Sequence, residues 1–304
     1  MGVHALRSLR NCPAPAKLNL FLHVTGRRAD GYHLLQSVFQ LIDYGDSLDF
    51  ELRGDDLIVR TSDLPGVPAE SDLVVRALRL LQAAYREKHG ALPPGVDVGI
   101  VKRLPMGGGL GGGSSDAATA LMAVNHLWQA GFTTDELMAL GLPLGADIPF
   151  FVFGRNAFVE GVGERMQPVA TPDCCYLVIA PGIEVPTASI FCADDLTRDS
   201  KPVRITDFSR HLKTESGLKG FGKNDLQAVA TRLFPPVAEA VEWLGAYGDA
   251  RMTGSGACVF CAFADEAAAR AVLAQVPPTW RAFIAGSLQA HPLLAQLQID
   301  GVIE

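Results

Sequence analysis

The residues of this chain whose types and spacing could do chemistry are concentrated in one run. It reads RLPMGGGLGGGSSDAATALMAVNHLW, starts at Arg103, and places six glycines between Gly107 and Gly113. Glycine loses more conformational freedom on ordering than any other residue, so a cluster this dense needs a compensating role. A Gly/Ser run taken alone reads as well as a flexible linker. The flanks favour another reading. GVDVGIVKRL before the run reads as a strand leading into Pro105 and Met106, and Ser114-Ser115-Asp116 opens an amphipathic helix predicted over 114–129. A helix N-terminus carries unpaired N–H groups and a partial positive charge. Glycines just before it let the backbone close on an anion, and phosphate is the guest such a site suits.

The loop is not a Walker loop, because no lysine follows the glycines. A G-x-G-x-x-G pattern does occur at Gly107, Gly109 and Gly112. A chance match is expected in so glycine-rich a run, and Pro105 separates the strand from the first glycine. The later acidic residues Asp135 and Glu136 have a structural role, since Thr133 and Glu136 form a capping-box pattern opening a short helix over 134–140.

The elements that must position this loop can be read from periodicity. AKLNLFLHV alternates as a strand, with Leu18, Leu20, Leu22 and Val24 on one face and Lys17, Asn19, Phe21 and His23 on the other. A turn around Asp30-Gly31 follows. SVFQLIDYGDSLDFEL and DDLIVR read as strands, and they are candidates to pair with each other. Residues 71–90 read as a helix capped by Ser71 or Asp72 and ended by Gly90. In the second half, helices are predicted over 187–195, 224–232, 236–246 and 265–275, with strands at CYLVIAPG, ARMTGSGACVFCAF and RAFIAGSL. Strands and helices mix without a strict β-α-β-α rhythm, which favours an α+β architecture. The length of 304 residues suits two domains, divided as 1–165 and 166–304.

Composition narrows the partners. A net charge of −7 with no Lys/Arg run argues against nucleic acid. No apolar run reaches the ~18 residues of a membrane span, and the start shows no signal or transit pattern, so a cytoplasmic protein with no membrane partner is expected. Six cysteines in a chain of this length are not a disulfide framework. Cys258 and Cys261 fall three apart in a predicted strand, on opposite faces, which suits structural thiols better than shared metal ligation.

PMGGGLGGGSSDAA resembles the phosphate loop of the GHMP kinases. PAKLNLFLHVTGRRADGYHLLQSVFQLIDYGD, LGADIPFF, EGVGE and TGSGACVF strengthen the resemblance in the same chain order, over most of the sequence. Together they are most similar to the branch of that family whose acceptor is a cytidine diphosphate derivative of methylerythritol. The resemblance implies a two-domain fold, with an N-terminal ribosomal-protein-S5-like domain and a C-terminal ferredoxin-like α/β sandwich. It implies ATP and Mg²⁺ as cofactors, and transfer of phosphate to the acceptor's 2-hydroxyl in non-mevalonate isoprenoid precursor biosynthesis. The rival readings are another small-molecule GHMP kinase, acting on mevalonate, homoserine or a sugar, and a non-catalytic nucleotide-binding regulator on the same scaffold.

The resemblance also assigns roles. Asp147 and Lys17 match the catalytic pair. A carboxylate beside the attacking hydroxyl helps it lose its proton, and an ammonium offsets charge on the phosphoryl oxygens. Read without the family, Asp147 is a turn residue and Lys17 a solvated strand lysine. Pro105, Met106, Gly107, Gly108, Gly109, Leu110, Gly111, Gly112, Gly113, Ser114 and Ser115 match the ATP phosphate loop, Leu73 and Lys102 match positions near the adenine, and Ser115 is the hydroxyl placed nearest Mg²⁺. Asn19 and Thr187 match acceptor contacts. Tyr32 and Phe191 match the walls around the cytosine, and His33 its hydrogen-bonding edge. Otherwise Tyr32 is a loop aromatic and Phe191 a core residue. Gly254, Ser255 and Gly256 form either a tight turn or a second loop closing on the site.

Overall fold

The computed structural model describes residues 6–214 and 217–297. Two 20-residue strands, β1 (Ser8–Arg27) and β2 (His33–Leu52), form a long antiparallel hairpin that turns at Gly31, whose φ of 92° a side chain would disfavour. β3 (Ile58–Arg60), α1 (Leu73–His89) and β4 (Val96–Val101) follow, then α2 (Gly112–Leu127), α3 (Thr134–Gly141) and α4 (Ile148–Phe153). β5 (Ala157–Gly161) and β6 (Arg165–Pro168) make a second hairpin on β2. The remainder is β7 (Cys175–Ala180), α5 (Thr187–Phe191), α6 (Ile205–His211), α7 (Asp225–Leu233), α8 (Pro235–Gly245), β8 (Arg251–Met252), β9 (Val259–Phe263), α9 (Glu266–Leu273), β10 (Arg281–Leu288) and α10 (Pro292–Gln296).

The sheet order β3-β4-β2-β10-β7-β9-β8 runs through both halves, joined where Ser287 and Leu288 of β10 pair with Ile42 and Leu41 of β2. One core cluster packs α1, α2 and α4 on the first half of the sheet. A second lies under α7 and α8. A third is shared: Leu18, Leu20 and Phe158 meet Tyr176, Val178 and Phe260. The chain then returns, and Leu293 and Leu297 complete the first core.

Local signals place several ends well. Asp72 accepts from the Val74 N–H to start α1, and Gly90 closes it at φ 75°. Thr133 and Glu136 form the expected capping box of α3. Three expectations change. The side-chain alternation of β1 breaks at a register shift between Asn19 and Leu22, so Phe21 joins Leu18 and Leu20 in the shared core while Leu22 and Val24 turn into the second cluster. β3 pairs parallel with β4 and not with β2, because β4 occupies that edge. α2 begins at Gly112, two residues earlier than its hydroxyls suggest.

Candidate active site

A cleft of about 1110 Å³ is lined in part by β1. At its centre are Lys17 and Asp147. The Lys17 side chain is 3% exposed, and its Nζ lies 3.7 Å from Asp147 Oδ2. It donates to Asn19 Oδ1 at 2.5 Å and sits over the Phe39 ring, 4.6 Å from its centroid. Burial pushes the Lys17 ammonium below the ordinary lysine range, and Asp147 opposes that shift. Asp147 occupies the N-cap position of α4 but makes no capping bond, and its side chain remains 34% exposed. A carboxylate that neither caps nor hides is available to a ligand.

Asn19 is an organiser of this centre. Its side chain takes the Lys17 proton bond and donates to Ser37 Oγ at 3.0 Å, while its backbone N–H donates to Thr253 Oγ1 at 3.0 Å. Lys17 is therefore held by a network that crosses from β1 to the loop after β8.

The glycine loop forms part of the cleft wall. Gly107, Gly109, Gly111 and Ser114 line it. The three glycines have φ of 63°, 75° and 75°. A Cβ on Gly111 would stand 2.8 Å from the Phe151 ring, and one on Gly109 would collide with the Thr253 carbonyl. The loop is laced to its surroundings by Lys17 N–H to the Leu110 carbonyl at 3.0 Å and Cys258 N–H to the Gly108 carbonyl at 3.1 Å. Gly111 caps α2 without a side chain, leaving the first-turn N–H groups open to an anion. Gly254, Ser255 and Gly256 also line the cleft, with Gly254 against Gly109.

The loop does not face the cleft along its whole length. Met106 is exposed, Leu110 is buried in the shared core, and Gly108 backs onto Cys258. Pro105 is absent from the residues lining the cleft, and Gly112 and Gly113 turn toward Leu104, Asp46 and Leu73. Ser115 departs from its expected place near a metal. It is fully buried and its hydroxyl donates to the Pro15 carbonyl at 2.7 Å, so the hydroxyl on the cleft is that of Ser114. Lys102 also lies off the cleft. Its ammonium pairs with Asp46 and with Asp116, the latter at 2.8 Å. Asp46 in turn accepts the N–H groups of Arg103 at 2.5 Å and Leu104 at 2.8 Å, fixing the entry to the glycine loop.

Also on the cleft, His33 stacks on Phe191 with centroids 4.9 Å apart and planes 30° from parallel. Tyr32 stands 66% exposed at the rim, and Thr187 hydrogen-bonds Ser255 at 2.8 Å. Among the described residues, no group of three or more His, Cys, Asp or Glu is placed to hold a metal. No described helix is long and apolar enough to cross a membrane. Cys258 and Cys261 point into different core clusters, and burial raises their thiols to about 12 and about 11.

The model of the GHMP kinases N terminal domain matches residues 72–155, and that of the GHMP kinases C terminal matches 209–282. A protein of Janthinobacterium sp. (strain Marseille) named 4-diphosphocytidyl-2-C-methyl-D-erythritol kinase is 65% identical, covering 94% of this chain and 97% of that protein. The chain belongs to the GHMP kinases, in the 4-diphosphocytidyl-2-C-methyl-D-erythritol kinase branch. A protein of the same name from Herminiimonas arsenicoxydans is 64% identical over 95% of this GHMP kinase chain and 98% of its own. A crystal structure of 4-(cytidine 5'-diphospho)-2C-methyl-D-erythritol kinase superposes with a TM-score of 0.78 at 34% identity, covering 91% of this chain and 98% of that one. Homoserine kinase from Cytophaga hutchinsonii shares the fold at a TM-score of 0.69 and 16% identity, covering 96% and 98% of the two chains.

Several residues of this GHMP kinase site escape sequence reasoning. Ser37 and Thr253 look like ordinary strand and turn hydroxyls, and Asp46 like a turn acid. Arg27 and Arg28 line the cleft, and Arg198 stands behind His33. Only the GRRADGY run, with two adjacent cations at a turn, carried a visible hint.

Proposed function

We propose that the protein transfers the γ-phosphoryl group of ATP to the 2-hydroxyl of 4-diphosphocytidyl-2-C-methyl-D-erythritol, giving ADP and the 2-phosphate, as a step of isoprenoid precursor biosynthesis. The observation that carries the reading is that one cleft is lined by three parts: the glycine-walled helix N-terminus, the Lys17–Asp147 pair, and the His33–Phe191 stack.

In this reading the open N–H groups at the start of α2 hold the phosphates, and the cleft-facing glycines let them come close. Leu73, which an added Cβ on Gly113 would touch at 3.4 Å, lies close enough to that terminus for the adenine-side role proposed for it. Lys102 acts from behind, through Asp46. Mg²⁺ arriving with ATP would neutralise charge on the phosphates, and the cleft-lining Ser114 hydroxyl would be available to hold it. Asp147 accepts the proton of the attacking hydroxyl or orients it. Lys17, held by Asn19, pairs with Asp147 and stabilises charge on the transferred group. Such transition states are loose, so positioning carries most of the catalysis. Tyr32 and Phe191 flank the base, His33 reads its edge, and Thr187 closes beside it. Aromatic side chains on the cleft suit an acceptor that carries a base to stack. The same reading divides the chain at 165/166. The two family-model matches fall on either side of that point, although the shared core joins the halves.

The test is ADP release from ATP·Mg²⁺ against the cytidyl acceptor, mevalonate, homoserine and galactose. Turnover is expected with the cytidyl acceptor alone, and Asp147→Asn lowers kcat by about 10²–10⁴-fold. Turnover with another acceptor overturns the base end of the site. ATP binding without any turnover returns the chain to the regulatory reading.

A further inference from the structure

Behind the base end of the cleft, Arg198 makes four hydrogen bonds that no part of the proposed reaction uses. Its Nε donates to His33 Nε2 at 3.2 Å. Nη2 donates to the carbonyls of Phe191 at 3.1 Å and Ala193 at 2.8 Å, and Nη1 to that of Leu196 at 3.1 Å. The three carbonyls belong to the end of α5 and the segment just after it. One planar guanidinium thus ties the strand that carries His33 to the helix that carries Phe191, the two rings that stack at 4.9 Å.

We infer that Arg198 is a positioning residue that fixes His33 as a neutral imidazole with its proton on Nδ1 and locks it onto Phe191, so that the cleft presents one hydrogen-bond donor to the ligand ring. An arginine can only donate, so the nitrogen it meets must accept. In a neutral imidazole the other nitrogen then carries the proton. His33 Nδ1 has no partner among the described residues, and His33 lines the cleft. Burial, with the Arg198 and Arg27 cations nearby, pushes the imidazole below its ordinary value, in agreement with a neutral ring. A fixed Nδ1–H donor suits a ring that offers acceptors, as cytosine does at O2 and N3. Set loose, the same histidine could present an acceptor or a donor, and the site would lose that selectivity.

This inference rests on the proposed cytidyl substrate, and the test keeps the two apart. Long-range ¹H–¹⁵N spectra of histidine-labelled full-length protein, assigned with His33→Gln, read the tautomer directly. His33 is expected as the Nδ1–H form in the wild type and as a mixture or the Nε2–H form in Arg198→Met. Titration with cytidine 5'-diphosphate is expected to weaken about tenfold in Arg198→Met, the loss of roughly one hydrogen bond. KM for the cytidyl acceptor rises by a similar factor, while kcat and KM for ATP hold. An Nε2–H or protonated His33 in the wild type overturns the inference, and that spectrum needs no variant to fold. Equal losses of ATP and cytidine binding in Arg198→Met also overturn it, since they mark a general structural role. The Nδ1–H form without turnover of the cytidyl acceptor leaves the Arg198 clamp standing and removes the proposed substrate.

Discussion

Lys17 is a strand residue turned into a chemical one by burial. Its ammonium is desolvated, and Asp147, Asn19 and the Phe39 face compensate for the lost water. Lys17→Met is expected to reduce kcat/KM by about 10²–10⁴-fold with the fold intact, checked by steady-state kinetics beside circular dichroism. Because burial lowers the Lys17 pKa from its ordinary 10.5, the alkaline limb of kcat/KM should fall below that value. Lys17→Arg, whose guanidinium does not titrate there, should remove the limb. Asp116 is a second residue altered by burial. Its carboxyl rises to about 7, with Lys102 opposing the shift and Asp46 adding to it, and Oδ1 has no hydrogen-bond partner among the described residues. A folded-state pKa raised above the unfolded one means that its contribution to stability is full below about pH 4 and is lost as pH rises through 7. Asp116→Asn should therefore gain stability relative to the wild type as the pH is raised from 5 to 8. The relative gain is on the order of a few kcal/mol, read from urea midpoints at the two pH values. A difference between the two proteins that stays flat across that range would show that Asp116 does not titrate there.

The glycine loop shows what element geometry adds to composition. Its six glycines do different work. Gly107, Gly109 and Gly111 wall the cleft in left-handed backbone, Gly108 makes room for Cys258, and Gly112 and Gly113 already belong to α2. Gly109→Ala meets both a φ of 75° and the Thr253 carbonyl. The strain alone is about 1–3 kcal/mol. The variant should melt several degrees lower and, if the proposed ATP site is right, raise KM for ATP, since in that reading the displaced backbone faces the phosphates. An unchanged Tm and KM would mean that the loop yields freely. The 3.0 Å bond from Lys17 N–H to the Leu110 carbonyl argues that it does not. The hairpin beneath has its own device: the register shift in β1 sends Lys17 and Asn19 to the cleft yet lets Phe21, two residues on, enter the shared core.

At the scale of the molecule, the halves are fastened by buried polar groups as well as by the shared core. Arg251 donates to the Leu20 carbonyl at 2.6 Å, and Asp225 accepts the Val24 N–H at 2.8 Å. Asn156 accepts the Leu41 N–H and donates to the Thr171 hydroxyl and the Leu288 carbonyl, stitching β2 to the end of β10. Asn156→Leu strands these buried partners, each at a cost of about 1–3 kcal/mol, and should lower the unfolding midpoint accordingly in one cooperative transition. Two separate transitions in the wild type would contradict the shared core. The fragment 1–165 is expected not to fold cooperatively by itself, because Leu18, Leu20 and Phe158 would lose their covering residues.

The sequence by itself determined what depends on local spacing. The glycine run before a helix, the Asp72 cap, the Thr133–Glu136 box and the α+β mixture follow from neighbours a few residues apart. The family motifs further marked Lys17, Asp147, Tyr32, His33 and Phe191. Only the tertiary structure decided what depends on distant partners. Asn19 meets Thr253, Asp46 meets Lys102 and Asp116, Arg198 meets His33, and the Ser115 hydroxyl turns to Pro15. The register shift in β1 also reverses an alternation that the residues alone display cleanly. The physical reason is the same in each case. A side chain's type fixes what bonds it can make, but burial and partners supplied from elsewhere in the chain fix which of them it makes.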